Sequence, residues 1–303
     1  MDKAEVEALI RLIDDEDQNI YEHVKSKLLE LGSEVFEELQ EHSMRAESEL
    51  QHQRLKEIIG QIHLENLKVD FREWIEGSPD DLLFGFYLVS KYRYPELSID
   101  PIISYIDKMK LDIWLRLNYK FSPLDNVRII NEVFFGKYRF HGDQKDQQAP
   151  ENSYLNLVIE NRKGNPISLS ILYSIIAQRL YLPIFGVNLP QHFILAYKDD
   201  SHLKEKDGFN TDGTIPYDIP GEILFYVNAY NGGAIFSKFN IDRFLVQSSL
   251  PNDEKYFEPC SNPQIILRVI RNLISSYDKP DQVQRKSELK ELHDYIAGII
   301  AGS

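Results

Sequence analysis

The stretch Pro166–Gln178, PISLSILYSIIAQ, holds no charged residue in a chain of which 27% is Asp, Glu, Lys or Arg. Ile171, Leu172, Ile175, Ile176 and Leu180 form one helical stripe, and Leu169, Tyr173 and Ala177 form a second. A helix that is apolar on nearly every side has to be buried, so the remaining elements must pack around it. Gly164, Asn165 and Pro166 interrupt whatever precedes, Ser168 reads as the N-cap, and Pro183 closes the helical region. Two short β-like runs follow, Ile184 to Leu189 and His192 to Tyr197. Alternation in the second places His192, Ile194 and Ala196 on one face and Phe193, Leu195 and Tyr197 on the other. The core helix is thus expected to lead into a hairpin with His192 at its bend.

Around this centre the pattern is mostly helical. Residues 1–65 read as helices with charged outer faces: Val6, Leu9, Ile10 and Ile13 make one stripe, Val24, Leu28 and Leu31 the next, and Gly32 and Ser33 restart the chain before Val35, Phe36 and Leu39. Asp70 to Leu117 is helical and rich in aromatics, Trp74 and Trp114 among them, which are read as core; Gly77, Pro79, Pro95 and Pro101 divide it into three helices. A helix near Leu124 to Phe135 precedes a polar loop, Lys137 to Asn152, in which His141 and Asp143 fall short of a metal set and are read as surface. Lys198 to Gly221 is a long hydrophilic loop of the kind that is often functional or mobile. Ile223, Phe225 and Val227 alternate with Leu224, Tyr226 and Asn228, and Asn231, Gly232 and Gly233 turn the chain into Ala234 to Phe236, a second hairpin. Two striped helices close the chain, one with Ile265, Ile266, Val269, Ile270, Leu273 and Ile274 and one with Val283, Leu289, Leu292, Ile296 and Ile299.

Composition excludes several classes of function. The formal net charge is −14 with a pI near 5.1, and Lys and Arg do not cluster, so phosphate backbones and anionic lipids are repelled. No nucleic acid and no membrane is expected as a partner. Cys260 is the single cysteine, which excludes an intrachain disulfide and any multi-thiolate metal site. His42, His52 and His63 lack ligand spacing and are read as surface residues, so neither metal nor cofactor is expected. The acidic start, MDKAEVEALIRLIDDEDQ, is unlike a secretory signal, and no uncharged run approaches the ~20 residues that span a bilayer; the expected compartment is the cytoplasm.

The phrases GNPISLSILYSIIAQRL, GVNLPQHFILAY and FYVNAYNGG, with NEVFFGKYRFHGD and NSYLNLVIENRKG upstream, resemble the transglutaminase-like superfamily, and within it the bacterial SirB-type branch, over Leu82 to Leu250. The resemblance implies an α+β protein: a papain/transglutaminase-like core, with a central helix packed on a small antiparallel sheet, a helical N-terminal subdomain and a helical C-terminal tail. It sets a HEAT-like subdomain at 1–65, the core at 66–250 and a helical appendage at 251–303. It also implies where chemistry would lie. Such an enzyme needs a nucleophile at the start of the core helix, a strand histidine as base and a polar residue to orient that histidine. By resemblance His192 falls on the base and Asn228 on the orienting position, which is aspartate in most of the superfamily.

The nucleophile position departs from the superfamily, because Pro166, Ile167 and Ser168 open the helix and no cysteine does. Ser168 would complete a degenerate triad, but replacing the carboxylate of a Ser-His-Asp triad by an amide slows a protease by about four orders of magnitude. The reading is therefore a pseudoenzyme that binds protein or peptide as a regulatory scaffold, with Ser168, His192 and Asn228 as its relic site. The alternative is a hydrolase or transamidase that uses Ser168, Ser170 or Cys260 with His192 as base. Cys260 lies just before a helix start at Ser261 and Pro263, where a helix dipole lowers a thiol pKa. A third reading gives the activity to the helical ends.

Overall fold

The computed structural model describes residues 3–46, 48–118, 120–199, 215 and 218–302. The long loop expected at Lys198 to Gly221 falls for the most part outside them. The chain divides into two compact units, Met1–Arg72 and Glu73–Ser303.

The first unit is helical. Helices α1 (Lys3–Leu12), α2 (Gln18–Leu31) and α3 (Phe36–Met44) lead into α4 (Glu49–Gly77), within which the boundary falls. Asp17 caps α2 by accepting from the Asn19 N–H, and Gly32 ends it at φ 55°, a backbone conformation open to a residue without Cβ. Val6, Ile10, Ile13, Val24, Leu28, Val35 and Leu39 of the expected stripes form its buried core together with Leu55 and Ile58 of α4, while Leu9, Leu31 and Phe36 are only partly buried against it. His52 is half-buried, with its Nδ1 3.0 Å from the Ser43 carbonyl oxygen.

The second unit is α+β. Its upstream helices are α5 (Leu82–Arg93), α6 (Asp100–Trp114) and α7 (Pro123–Asn131), the last opened by a capping box between Ser122 and Asp125. A π-helical turn, Glu132–Lys137, then sets Phe135 in a stack against Tyr173 and the Phe134 ring tilted beside it. Trp74 is buried, but Trp114 is 61% exposed, because it ends α6 on the face away from Ile102, Ile106, Met109 and Ile113; it is not the core residue the aromatic count suggested.

Strands β1 (His141–Gly142) and β2 (Lys163–Gly164) form a short parallel pair around α8 (Leu155–Asn161). The uncharged run forms α9 (Pro166–Gln178), buried from Ile167 through Gln178. It touches α5, α6, α8 and strands β3 (Ile184–Val187) and β4 (Ile194–Lys198). With β5 (Ile223–Asn228) and β6 (Ala234–Phe236) these strands make an antiparallel sheet in the order β3-β4-β5-β6. Pairing of Val187 with Ile194 and of Leu195 with Val227 fixes the register.

Because side chains alternate across a pleated sheet, the two faces meet different layers. Val187, Ile194, Ala196 and Tyr226 pack with Ile241 and Leu245 of α10 (Lys238–Gln247). The opposite face carries Leu195, Tyr197 and Val227, all buried. Helices α11 (Asn262–Ser276) and α12 (Val283–Gly302) pack on each other, and α11 lies against α5 and the 3-10 turn Pro150–Ser153. Among the described residues no helix is long and apolar enough to cross a membrane.

Candidate functional site

The start of α9 is built differently from the cap assigned to it above. Asn165 is the N-cap and Pro166 is the first helical residue, where its missing N–H costs nothing. Ser168 therefore stands at the third helical position. The Ser168 N–H donates to Asn165 Oδ1 at 2.9 Å, and the Asn165 N–H donates to Ser168 Oγ at 3.0 Å, a reciprocal box. The Ser168 hydroxyl donates in turn to the Asn165 carbonyl at 3.2 Å, and Asn165 Nδ2 donates to Ser153 Oγ at 2.9 Å. A Cβ on Gly164 would lie 2.6 Å from Ser168 Oγ, so only glycine fits before this cap.

A second polar knot sits beside it. Asp143, read above as a surface residue, is 4% exposed. Its carboxylate accepts from Lys163 Nζ at 2.9 Å, from Asn152 Nδ2 at 3.1 Å and from the backbone N–H groups of Lys145 and Asp146. The Lys163 ammonium and then the Asn152 amide hold this carboxyl well below the usual carboxylate range. Tyr230 donates its hydroxyl to the Asp143 carbonyl at 2.7 Å, and its ring leaves no room for a side chain at Gly142. The knot joins β1, β2 and the turn after β5 around the start of α9. His141 stays exposed with its Nδ1 3.1 Å from the Arg139 carbonyl oxygen, and no group of three or more His, Cys, Asp or Glu able to hold a metal ion occurs among the described residues.

His192 precedes the strand, since β4 begins at Ile194. It sits in the turn that follows Leu189, with its N–H donating to the Leu189 carbonyl at 3.1 Å. Its ring meets the edge of Phe244, on α10, with centroids 4.8 Å apart. Partial burial, and then the positive charge of Arg268, lower the imidazole pKa from its ordinary value. Asn228 accepts from the Asn231 N–H at 3.1 Å and caps the turn Ala229–Asn231. One step beyond the Leu195–Val227 pair it stands level with Ile194, on the side that Tyr226 presents to α10. No hydrogen bond joins Ser168, His192 and Asn228 to one another among the described residues.

What opens at the start of α9 is a cleft of about 360 Å³. Asn165, Pro166 and Ile167 form its floor, Gln191 and Phe193 come from the turn on either side of His192, and Gln147, Gln148, Asn272, Ser275 and Ser276 supply polar walls. Among the described residues Arg268 is its one charged lining residue. This arginine holds the turn in place: it donates to Asn188 Oδ1, to the Leu189 carbonyl at 3.1 Å and to the His192 carbonyl at 2.9 Å, and it lies 5.8 Å from the centre of the Phe193 ring. Neither Arg268 nor the α11 wall stands out in a reading of motifs. The available signal is a lone cation between the apolar pairs Ile265, Ile266 and Val269, Ile270.

The family model described as Transglutaminase-like superfamily matches residues 100–271, more than half of the chain. The chain belongs to the transglutaminase-like superfamily. It is 30% identical over 202 residues to a UPF0162 protein of Xylella fastidiosa strain 9a5c, a match that spans 65% of each chain. A UPF0162 protein of Haemophilus influenzae is 35% identical over 121 residues, 39% of this chain and 43% of that protein. F-box only protein 21 of Mus musculus is 38% identical over 68 residues, 22% of this chain and 11% of that protein. No solved structure matches.

In this transglutaminase-like chain the residues weighed as nucleophiles are all constrained. Ser168 has no exposed surface and its hydroxyl is engaged in the cap. Ser170 is equally buried, and its hydroxyl has no hydrogen-bond partner among the described residues. Cys260 lacks the lowered pKa that the hydrolase or transamidase alternative requires of it. Burial pushes its thiol up to about 12, and the thiol hydrogen-bonds the Gly186 carbonyl at 3.4 Å. The reason is position: Cys260 lies before the Ser261 cap, its own N–H donating to Gly186, so its sulfur faces β3 and not the free end of α11.

Proposed function

We propose that this protein is a non-catalytic member of its superfamily, of the SirB-type branch, which binds an extended peptide segment in the cleft at the start of α9. The carrying observation is the chemistry of that cleft: its walls are side-chain amides and hydroxyls with one guanidinium, and Ser168, Ser170 and Cys260 are not among its lining residues. Gln147, Gln148, Gln191 and Asn272 offer both donors and acceptors, and the Ser275 and Ser276 hydroxyls, which donate to the Arg271 and Asn272 carbonyls, offer acceptors; together they match the alternating N–H and C=O groups of a peptide backbone and demand no charge of it. The degenerate positions Ser168, His192 and Asn228 then serve the frame of the cleft. The cap holds its floor, and the His192 turn presents Gln191 and Phe193. In this reading residues 1–65 are a HEAT-like subdomain, 66–250 the core and 251–303 an appended helical wall, in a cytoplasmic regulatory scaffold.

The test has two arms. Fluorophosphonate and iodoacetamide probes are expected to label Ser168, Ser170 and Cys260 of the native chain no faster than background, with the denatured chain as positive control. Fluorescein-labelled peptides of random sequence, about twelve residues long, are expected to bind saturably by anisotropy, and Ser275→Trp at the rim is expected to block them. Native labelling that disappears in His192→Ala favours the hydrolase or transamidase. Peptide binding that survives Ser275→Trp moves the site elsewhere.

A further inference from the structure

Arg268 faces a second cavity on the other side of the turn it holds. This groove, about 460 Å³, is lined by Lys255, Tyr256 and Cys260 and, along one face of α11, by Gln264, Arg268 and Arg271. Three of its lining residues are cations and none is a carboxylate, in a chain of net charge −14. Spacings of four and three residues put Gln264, Arg268 and Arg271 in a row. The row starts in the first turn of α11, where the helix dipole adds positive potential.

The charges in the row are poorly compensated. Arg268 is half-buried, and the acceptors it meets are the Asn188 amide oxygen and two backbone carbonyls, all neutral. Burial, and also the like charge of Arg271 one turn away, lower its pKa. Arg271 uses its Nε to donate to His293 Nε2 at 2.9 Å, which sets the imidazole proton on Nδ1, toward Asp294. Asp294 thus faces Arg271 only across the imidazole, and its side chain is 81% exposed, so solvent screens it. The Nη groups of Arg271 donate to no described residue. Lys255 is partly neutralised by Asp253 at 2.6 Å. Two guanidinium groups one turn apart, one of them half-buried without a counter-charge, repel each other unless an anion lies between them.

We infer that this groove is a binding site for a small ligand bearing an oxyanion, a phosphate or a carboxylate, gripped by Arg271 and Arg268. Planar guanidinium groups present paired N–H donors that fit either group bidentately. Tyr256 and Leu267 give the rest of the ligand an apolar wall. The site is independent of the peptide cleft, although Arg268 borders both, and an occupant would add an anion to the residue that holds Gln191 and Phe193 in place.

The experiment uses the full chain, with ionic strength held constant by sodium chloride. Inorganic phosphate and succinate are titrated separately while the Nε–Hε resonances of the arginine side chains are followed by NMR. Saturable shifts of Arg271 and Arg268 are expected with one or both probes, and which probe acts identifies the group. Arg271→Gln, which alters an exposed side chain that among the described residues bonds only His293, is expected to weaken binding at least about tenfold while leaving circular dichroism unchanged. Lys255→Gln is expected to weaken it less, because Asp253 already holds that charge. Shifts no larger than those from chloride alone, or binding that Arg271→Gln leaves intact, overturn the assignment. Loss of peptide binding by Ser275→Trp with oxyanion binding unchanged separates the two sites.

Discussion

Replacing Ser168 by alanine tests whether this hydroxyl is a structural cap. The substitution removes the acceptor of the Asn165 N–H at 3.0 Å and the donor to the Asn165 carbonyl at 3.2 Å, at a position with no exposed surface. The other half of the box, Ser168 N–H to Asn165 Oδ1 at 2.9 Å, survives. The N-cap contribution is therefore kept, and the loss is that of one buried N–H left without a partner, about 1–3 kcal/mol. Asn165→Ala removes the cap itself and also strands Ser153 Oγ, so it is expected to cost about 2–4 kcal/mol. The double variant should cost less than the sum, since both changes break one box, with a coupling of about 0.5–3 kcal/mol. Urea unfolding followed by tryptophan fluorescence reads the right unit, because Trp74 and Trp114 are the only tryptophans and both follow Arg72. Of the two, Trp74 is buried and supplies the change on unfolding. A Ser168→Ala midpoint that moves by less than about 0.5 kcal/mol, or additive single and double variants, would refute the capping role.

Three further outcomes follow from the titrating groups. With its thiol pushed up to about 12 from an ordinary 9.0, native Cys260 should react with iodoacetamide at pH 8 roughly a thousandfold more slowly than the urea-denatured chain; equal rates would place the thiol in a different environment. The His192 imidazole is lowered from 6.5, so at pH values just below 6.5 the unfolded chain binds more protons than the folded one. Stability from this group is held above that pH and lost as pH falls; His192→Gln should flatten the unfolding midpoint measured across that range, and an unchanged slope would contradict the burial against Phe244. The Asp143 carboxyl is held below 3.8, so its contribution is present above that pH and disappears on acidification. Asp143→Asn should be less stable at pH 7 and show a shallower acid transition, and an equally steep one would argue against the Lys163 pairing.

The core was legible because its signals are local. An uncharged run between prolines can only be an interior helix, and alternating runs with glycine turns specify hairpins without tertiary information. The first misplacement came where two good caps compete: Asn165 and Ser168 are both favoured N-cap types, and Pro166, which must follow the cap directly, decides between them. Asp143 was read as surface because nothing in a glycine loop shows that Lys163 will return beside it through a two-residue parallel strand. Arg268 was passed over for a related reason. A cation among the apolar rows of α11 reads as a solvated position until the turn it binds, Asn188 to His192, is brought against it.

The position of His192 shows how far pattern alone reaches. Alternation groups His192 with Ile194 and Ala196, but it shows neither that the strand begins only at Ile194 nor which layer covers that face. Both faces of this sheet are covered, and the layer on the Ile194 face is α10, where the His192 ring meets Phe244. The resemblance placed the imidazole above the start of α9, yet the residues of the turn that line that cleft are Gln191 and Phe193, one step to either side. Because the pleat has a period of two, a one-residue offset exchanges one layer for the other. The same offset explains why the turn contributes an amide and an aromatic ring to the cleft, groups suited to holding a ligand. A base would have to stand at Gln191 or Phe193 to face the floor at Pro166 and Ile167, and there the floor offers a proline ring and an aliphatic side chain, with the Ser168 hydroxyl closed into its own cap.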